Sequence, residues 1–285
     1  MKTSRIARLA FLLQAALLSL PLCAQDDLGL WAGAGIEKGF GKGFDIGAGG
    51  EFRWKGEHTD RFSVDLSASK RLYRNEAKTF AIKAGLSYKF SEIFYFREIK
   101  YAGSKGDEIP NGMPESYYVD NGYIYNILNS HWRARHRITA SLSAKQEIGR
   151  LTLSVKERYQ FSFMDSISVP MDAYRFVYNH KVDDWTLGLS YHDKKHKKIK
   201  HSQILRSGLE AAYNIPDWKF DPYCGIEFFN DIEDRLALDK SRLTGGIEWK
   251  ITKAQSLKME YIWQDKADDD EAAGSAISLS YKFNF

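Results

Sequence analysis

Between Trp132 and Phe163 apolar and polar residues alternate one by one, in two runs separated by Ile148-Gly149-Arg150. On the first run Trp132, Ala134, Ile138, Ala140, Leu142 and Ala144 share one face. Arg133, Arg135, Arg137, Thr139, Ser141, Ser143 and Lys145 share the other. On the second, Leu151, Leu153, Val155, Tyr159, Phe161 and Phe163 alternate with Thr152, Ser154, Lys156, Arg158, Gln160 and Ser162. Successive strand side chains point to opposite faces, so this period of two predicts a long β-hairpin with unlike faces. The pattern recurs in runs beginning near Phe44, Phe62, Phe80, Leu205, Leu243 and Leu257.

The polar rows are heavily charged, and that decides which way they face. A charge on the lipid face of a membrane barrel costs about 2–4 kcal/mol at mid-bilayer, so the charged rows are expected inside and the apolar rows outside. Strands of about 10 residues or more suit a tilted membrane crossing, and a soluble sandwich would use shorter ones. Connections alternate in length: Gly41-Lys42-Gly43, Asn75 to Lys78, Ile148 to Arg150, Ile215 to Asp217 and Lys253 to Gln255 are short. The stretches Ser91 to Ser130, Met164 to Lys200, Asn230 to Lys240 and Asp265 to Ala273 are long. The expected fold is all-β: a single antiparallel transmembrane barrel with short periplasmic turns and long extracellular loops. The runs number eleven, starting with Leu28 to Phe40. An even number returns both ends to the periplasm, so about 12 strands are expected, with 10 as the fallback.

The N-terminal region has a different character. Lys2, Arg5 and Arg8 precede an apolar stretch from Leu9 to Leu22, too short for a bilayer that needs about 20 residues. Residues 1–24 are expected to be a signal peptide cut after Ala24, with lipidation of Cys23 as the alternative, and residues 25–285 the barrel of a bacterial outer-membrane protein. Losing those three cations lowers the formal net charge from +4 to about +1, which argues against a nucleic-acid partner. Cys224 is the one cysteine of the cleaved chain, so no disulfide framework is expected. No later stretch of 18 apolar residues occurs, which excludes a helical membrane protein.

Several segments resemble a family of bacterial outer-membrane barrels whose domain has no assigned function. These are Leu28-Gly29-Leu30-Trp31, Glu51-Phe52-Arg53, His131 to Ile138, Lys156 to Gln160, Ile204 to Ser207, Pro222 to Glu227 and Tyr281 to Phe285. The resemblance implies fold and compartment and brings no catalytic residues. The alternating aromatics Tyr281, Phe283 and Phe285 also look like the signal read by the barrel-assembly machinery, which is expected as a partner during biogenesis alongside outer-membrane lipid.

Candidate lumen residues carry both signs. Arg53, Arg71, Lys83, Arg133, Arg135, Arg137, Lys145, Arg158 and Arg206 stand against Glu51, Glu210, Glu227, Glu248 and Glu260. Paired and packed, they make a closed polar core; spread around open water, they line an ion-selective pore. The Arg133/Arg135/Arg137 ladder favours the second, because three cations on one strand call for partners or an anion. An outer-membrane hydrolase would need a nucleophile, base and orienting group together. His131 and His136 fall on opposite faces of one strand, so no enzyme, metal site or cofactor is expected. His192 and His196 sit among lysines, and Asp268 to Glu271 lacks a calcium-loop pattern. The aromatic-rich stretch 91–130 is read as strand extensions, or as a surface for a glycan or protein ligand.

Overall fold

A computed structural model describes residues 28–55, 58–101, 117–119, 122–265 and 274–285. Residues 1–24 and Asp268 to Glu271 lie outside them. The described chain forms strands β1 (Gly29–Gly39), β2 (Phe44–Lys55), β3 (His58–Arg74), β4 (Phe80–Tyr95), β5 (Glu98–Tyr101), β6 (Tyr117–Val119), β7 (Gly122–Leu128) and β8 (His131–Ile148). They continue with β9 (Leu151–Met164), β10 (Ile167–Asn179), β11 (Asp184–Lys197), β12 (Lys200–Tyr213), β13 (Phe220–Asp231), β14 (Ala237–Lys250), β15 (Gln255–Gln264) and β16 (Gly274–Asn284).

Two compact units emerge. The first comprises Ile93 and the residues before it, Arg135–Phe163 and His201–Phe285; the second comprises Phe94–Ala134 and Met164–Lys200. In the first, β1-β16-β15-β14-β13-β12-β9-β8-β4-β3-β2 close into a barrel of eleven strands among the described residues. Eleven is the number of alternating runs in the sequence, whereas the even-number argument asked for about twelve. The physical reason is the closure: β1 pairs with β16 in parallel, from Gly29↔Ala276 to Glu37↔Asn284. By contrast β1 with β2, β2 with β3, β3 with β4, and β12 through β16 in succession all pair antiparallel.

Alternation sets the two faces. One outward row runs Ile36↔Ala48↔Leu66↔Tyr88 across four strands. The neighbouring inward row runs Gly35↔Gly49↔Asp65↔Lys89. Apolar side chains on the outward rows are exposed, Leu66 by 62% and Leu86 by 58%. Aromatics gather at both ends of this apolar belt. At the tight-turn end Phe40 lies 6.3 Å from Phe44 and Phe220 lies 5.7 Å from Trp249. At the far end Phe52 meets Phe62 at 5.0 Å and His136 stacks on Phe163 at 4.7 Å. Tyr281 and Phe283 join the outward row of β16, and Phe285 donates its backbone N–H to the Glu37 carbonyl at 2.9 Å.

Gly43 shows how a tight turn constrains residue type. Its φ of +73° suits glycine, and a Cβ there would lie 2.7 Å from the Cβ of Arg71.

The second unit is a sheet in the order β11-β10-β7-β5, with β6 beside β7. Leu128, Val169, Met171 and Ala173 form its buried apolar cluster. The two longest connections in the sequence therefore carry strands of their own.

Candidate functional site

Inside the barrel, burial rises toward the far end along most inward rows, with Asp221 and Tyr223 of β13 buried near the turns as well. Toward the far end Arg61, Ser63, Ser91, Arg135, Gln160, Ser162 and Gln264 are all buried. Ser63 Oγ donates to Ser91 Oγ at 3.0 Å, and Arg137 Nε donates to Ser162 Oγ at 3.2 Å. Toward the tight turns the same rows open: Arg71, Lys145, Glu147, Lys156 and Glu210 are exposed. Between the two zones Arg53, Arg206, Ile262 and Ser278 are buried yet line a cavity of about 710 Å³. A second cavity of about 550 Å³ shares Lys145, Glu147, Ser154, Glu210, Tyr223 and Lys258 with the first and reaches Gly149, Arg150 and Asn214 at the turns. Among the described residues these two cavities form a cup that opens at the turn end and stops short of the buried far-half side chains.

Charges in the cup follow a pattern. Its larger cavity is lined by eleven Lys and Arg side chains and five Glu. Three arginines share one carboxylate: Glu227 Oε2 accepts from Arg206 Nη2 at 2.6 Å, Glu227 Oε1 pairs with Arg158, and Arg242 Nη1 lies 3.9 Å away. Glu51 takes Arg53 at 2.7 Å and Lys89 at 3.1 Å. Arg53 also lays its guanidinium 3.6 Å from the centre of the Trp31 ring, with Arg242 at 5.6 Å from the same ring. These arginines are ion-paired or stacked on a ring, contacts that make an enclosed arginine tolerable. Lys258 lies 3.2 Å from Glu260 and 3.9 Å from Glu210.

The residues anticipated from sequence divide accordingly. Arg53, Arg71, Lys83, Lys145, Arg158, Arg206, Glu51, Glu210, Glu227 and Glu260 line the larger cavity, and Glu248 lines the second. The arginine ladder does not act as one group. Arg133 belongs to the second unit, where it donates to the carbonyls of Asp165 at 2.8 Å and Lys198 at 2.6 Å. Arg135 is buried, and neither it nor Arg137 lines either cavity. Sequence reasoning left out Trp31, Arg74, Lys78, Lys156, Arg242 and Lys258, all of which line the larger cavity. Lys156, Arg242 and Lys258 stood on the polar rows and were recoverable by parity; Arg74 and Lys78 lie beside a turn, where the alternation stops.

Other candidates resolve into local packing. His136 points outward, its Nδ1 2.6 Å from the Tyr88 hydroxyl. His131 stacks on Tyr95 at 5.3 Å in the second unit. His192 lies on strand β11 opposite Asp172, its Nδ1 2.5 Å from Oδ1, and His196 faces Ser168 at 3.4 Å. Both histidines are therefore carried by a strand. No group of three metal-binding side chains occurs among the described residues. Of the aromatics in 91–130, Phe94 packs on Phe96 and Trp132 at 5.0 and 5.1 Å, and Tyr95 Oη donates to Met164 Sδ at 3.5 Å. The side chains of Tyr101, Tyr117, Tyr118, Tyr123 and Tyr125 lie outside the described ones.

On the outer face a single carboxylate interrupts the apolar row of β9. Glu157 sits between the exposed Val155 and Tyr159, and accepts from Ser207 Oγ at 2.8 Å.

Comparison with known proteins adds three findings. A family model described as a protein of unknown function (DUF2490) matches residues 28–273. No curated protein matches in sequence. Among solved structures, the chain is similar to a NanC porin determined in a rhombohedral crystal form, at 10% identity over 90% of this chain and 95% of that one, with a TM-score of 0.41.

Proposed function

This chain belongs to the DUF2490 family, whose function is unknown, and we propose that it is a non-enzymatic outer-membrane barrel whose lumen is a one-ended polar cup rather than a standing pore. The burial gradient along the inward rows carries this reading. A passive channel needs a continuous water path, and neither cavity extends through the side chains of the far half: Arg61 is 1% and Ser63 0% exposed. Polar side chains there are packed together, with Ser63 bonded to Ser91 and Arg137 to Ser162.

The membrane part of the proposal rests on the outer surface. A ring of exposed aliphatic side chains between two aromatic girdles would be a liability in water and suits a lipid bilayer. On the described outward rows Lys38 and Lys70 fall near the turn end and Glu92 near the far end, leaving Glu157 as the one charge within the belt. By the rule that short turns face the periplasm, the cup opens inward to the periplasm. The hydrolase alternative loses support because His136 is engaged by Tyr88 and stacked on Phe163.

Planar-bilayer recording on refolded, heat-modifiable protein tests the proposal. A silent bilayer is expected. Steady unitary steps would refute a closed lumen and restore the passive-pore reading.

A further inference from the structure

Four cup cations stand without a carboxylate. Among the described residues, Arg71, Arg74, Lys78 and Lys156 line the cavity with none at ion-pair distance. Their neighbours are differently placed, with Lys83 held by Asp45 at 2.9 Å and Lys145 by Glu147 at 3.1 Å. Strand order concentrates these side chains on one wall. Arg71 and Lys83 are directly opposed across β3 and β4, a like-charge pairing that weakens a sheet unless something lies between. On the next strand, Ser143 Oγ donates to the Lys83 carbonyl at 3.3 Å. The β8–β9 hairpin, in the register marked by Arg137 and Ser162, then sets Ser143 opposite Lys156. Three cations and a hydroxyl so stand at one level on four adjacent strands, with Arg74 and Lys78 nearer the mouth.

The carboxylates Glu227 and Glu260 belong to β13 and β15, on other walls, and Glu210, on β12 beside β9, lies 3.9 Å from Lys258. Uncompensated cations gathered between low-dielectric walls focus their field on the space they share. That space has the volume for a small solute and water, and its wall offers Lys point charges and Arg forks, the donors that take oxyanions. We infer that the turn end of the lumen binds a small solute carrying two or more phosphate or carboxylate groups. The inference rests on the one-ended lumen proposed above for its sidedness: the solute enters from the periplasmic mouth.

Titration calorimetry on the refolded chain in zwitterionic detergent tests it, with inorganic triphosphate, citrate and acetate as probes. Triphosphate or citrate binds one to one, and whichever is tighter tells phosphate from carboxylate chemistry; acetate binds far more weakly. Arg71→Gln and Lys156→Gln each weaken the tighter probe by about tenfold, and added salt weakens it further. Lys70→Gln, on the outward side of the same strand, leaves it unchanged. Both variants replace exposed side chains, and heat-modifiability confirms that they fold. Failure of both multivalent probes, equal binding of acetate, or full affinity in the Arg71/Lys156 double variant would overturn the inference. A barrel that conducts steadily while still binding triphosphate would instead overturn the closed-lumen reading alone.

Discussion

Replacing Glu227 by Gln removes one charge and almost no volume from the most crowded point of the lumen. Its carboxylate serves Arg158, Arg206 and Arg242, and all four side chains are 22% exposed or less. Cutting one partner of a buried ion pair costs about 3–5 kcal/mol. Three features reduce that figure here. The cup opens toward the turns, Gln keeps an acceptor oxygen, and two of the arginines have other partners: Arg206 reaches Gln160 at 3.4 Å and Arg242 reaches Gln264 at 2.8 and 2.5 Å. About 2 kcal/mol of lost stability is therefore expected, measured by urea unfolding in phospholipid vesicles with tryptophan fluorescence. A double-mutant cycle with Arg206→Gln isolates the contact, and a coupling of about 1 kcal/mol or more is expected. The same substitution makes the cavity more positive, so triphosphate affinity rises while stability falls. General misfolding would lower both. A stability change within about 0.5 kcal/mol, together with coupling near zero, would refute the reasoning and mean that water alone solvates these arginines.

Other outcomes follow from single positions. Glu157→Leu removes the one charge within the apolar belt together with its Ser207 hydrogen bond, and is expected to raise vesicle stability by about 1 kcal/mol; a loss of similar size would mean that this face is not lipid-exposed. Gly43→Val meets both the positive φ and the Arg71 side chain, and is expected to cost about 2 kcal/mol or more in the same unfolding assay. Leu128→Ala opens a cavity in the apolar cluster of the second unit, and faster proteolytic cleavage within 122–128 and 167–179 is the expected readout. Phe285→Ala is expected to slow accumulation of heat-modifiable protein in cells while leaving the stability of the folded barrel nearly unchanged.

Parity made the barrel legible. The rows read from Trp132 to Phe163 are the rows observed, because inside and outside differ chemically at nearly every step and a slip of one residue would expose charge to the apolar side. Parity assigns a face but not a depth. Arg135 and Lys145 share the inward face of β8, yet the first is buried and the second opens on the cup. What separates them is position along the barrel axis, which pattern along one strand does not encode. The members of the Arg133, Arg135 and Arg137 ladder likewise lie at successive positions along the strand and in two different units. Within the second sheet, β5, β6 and β7 are short, and their alternation is too brief to stand out among turn residues.

Strand number raises a different kind of limit. Counting the alternating runs yields eleven, and only the premise that both ends return to one side moves that count to an even value. Alternation reads the same in either direction, so it says that β1 is a strand without saying which way it runs relative to β16. In the closed barrel they run together, with Ala34 beside Tyr281 and Ile36 beside Phe283 on the outward side, while Lys282 reaches Glu37 at 2.8 Å on the inward side. A parallel ladder is slightly weaker per residue than an antiparallel one, and this seam gains from that ion pair and from the backbone bond between Phe285 and Glu37. The small residues Gly33, Ala34 and Gly35 bring little side-chain packing to the same stretch. The seam therefore leans on its backbone register, and the row of Tyr281, Phe283 and Phe285 that looks like an assembly signal lies on the strand that has to find it.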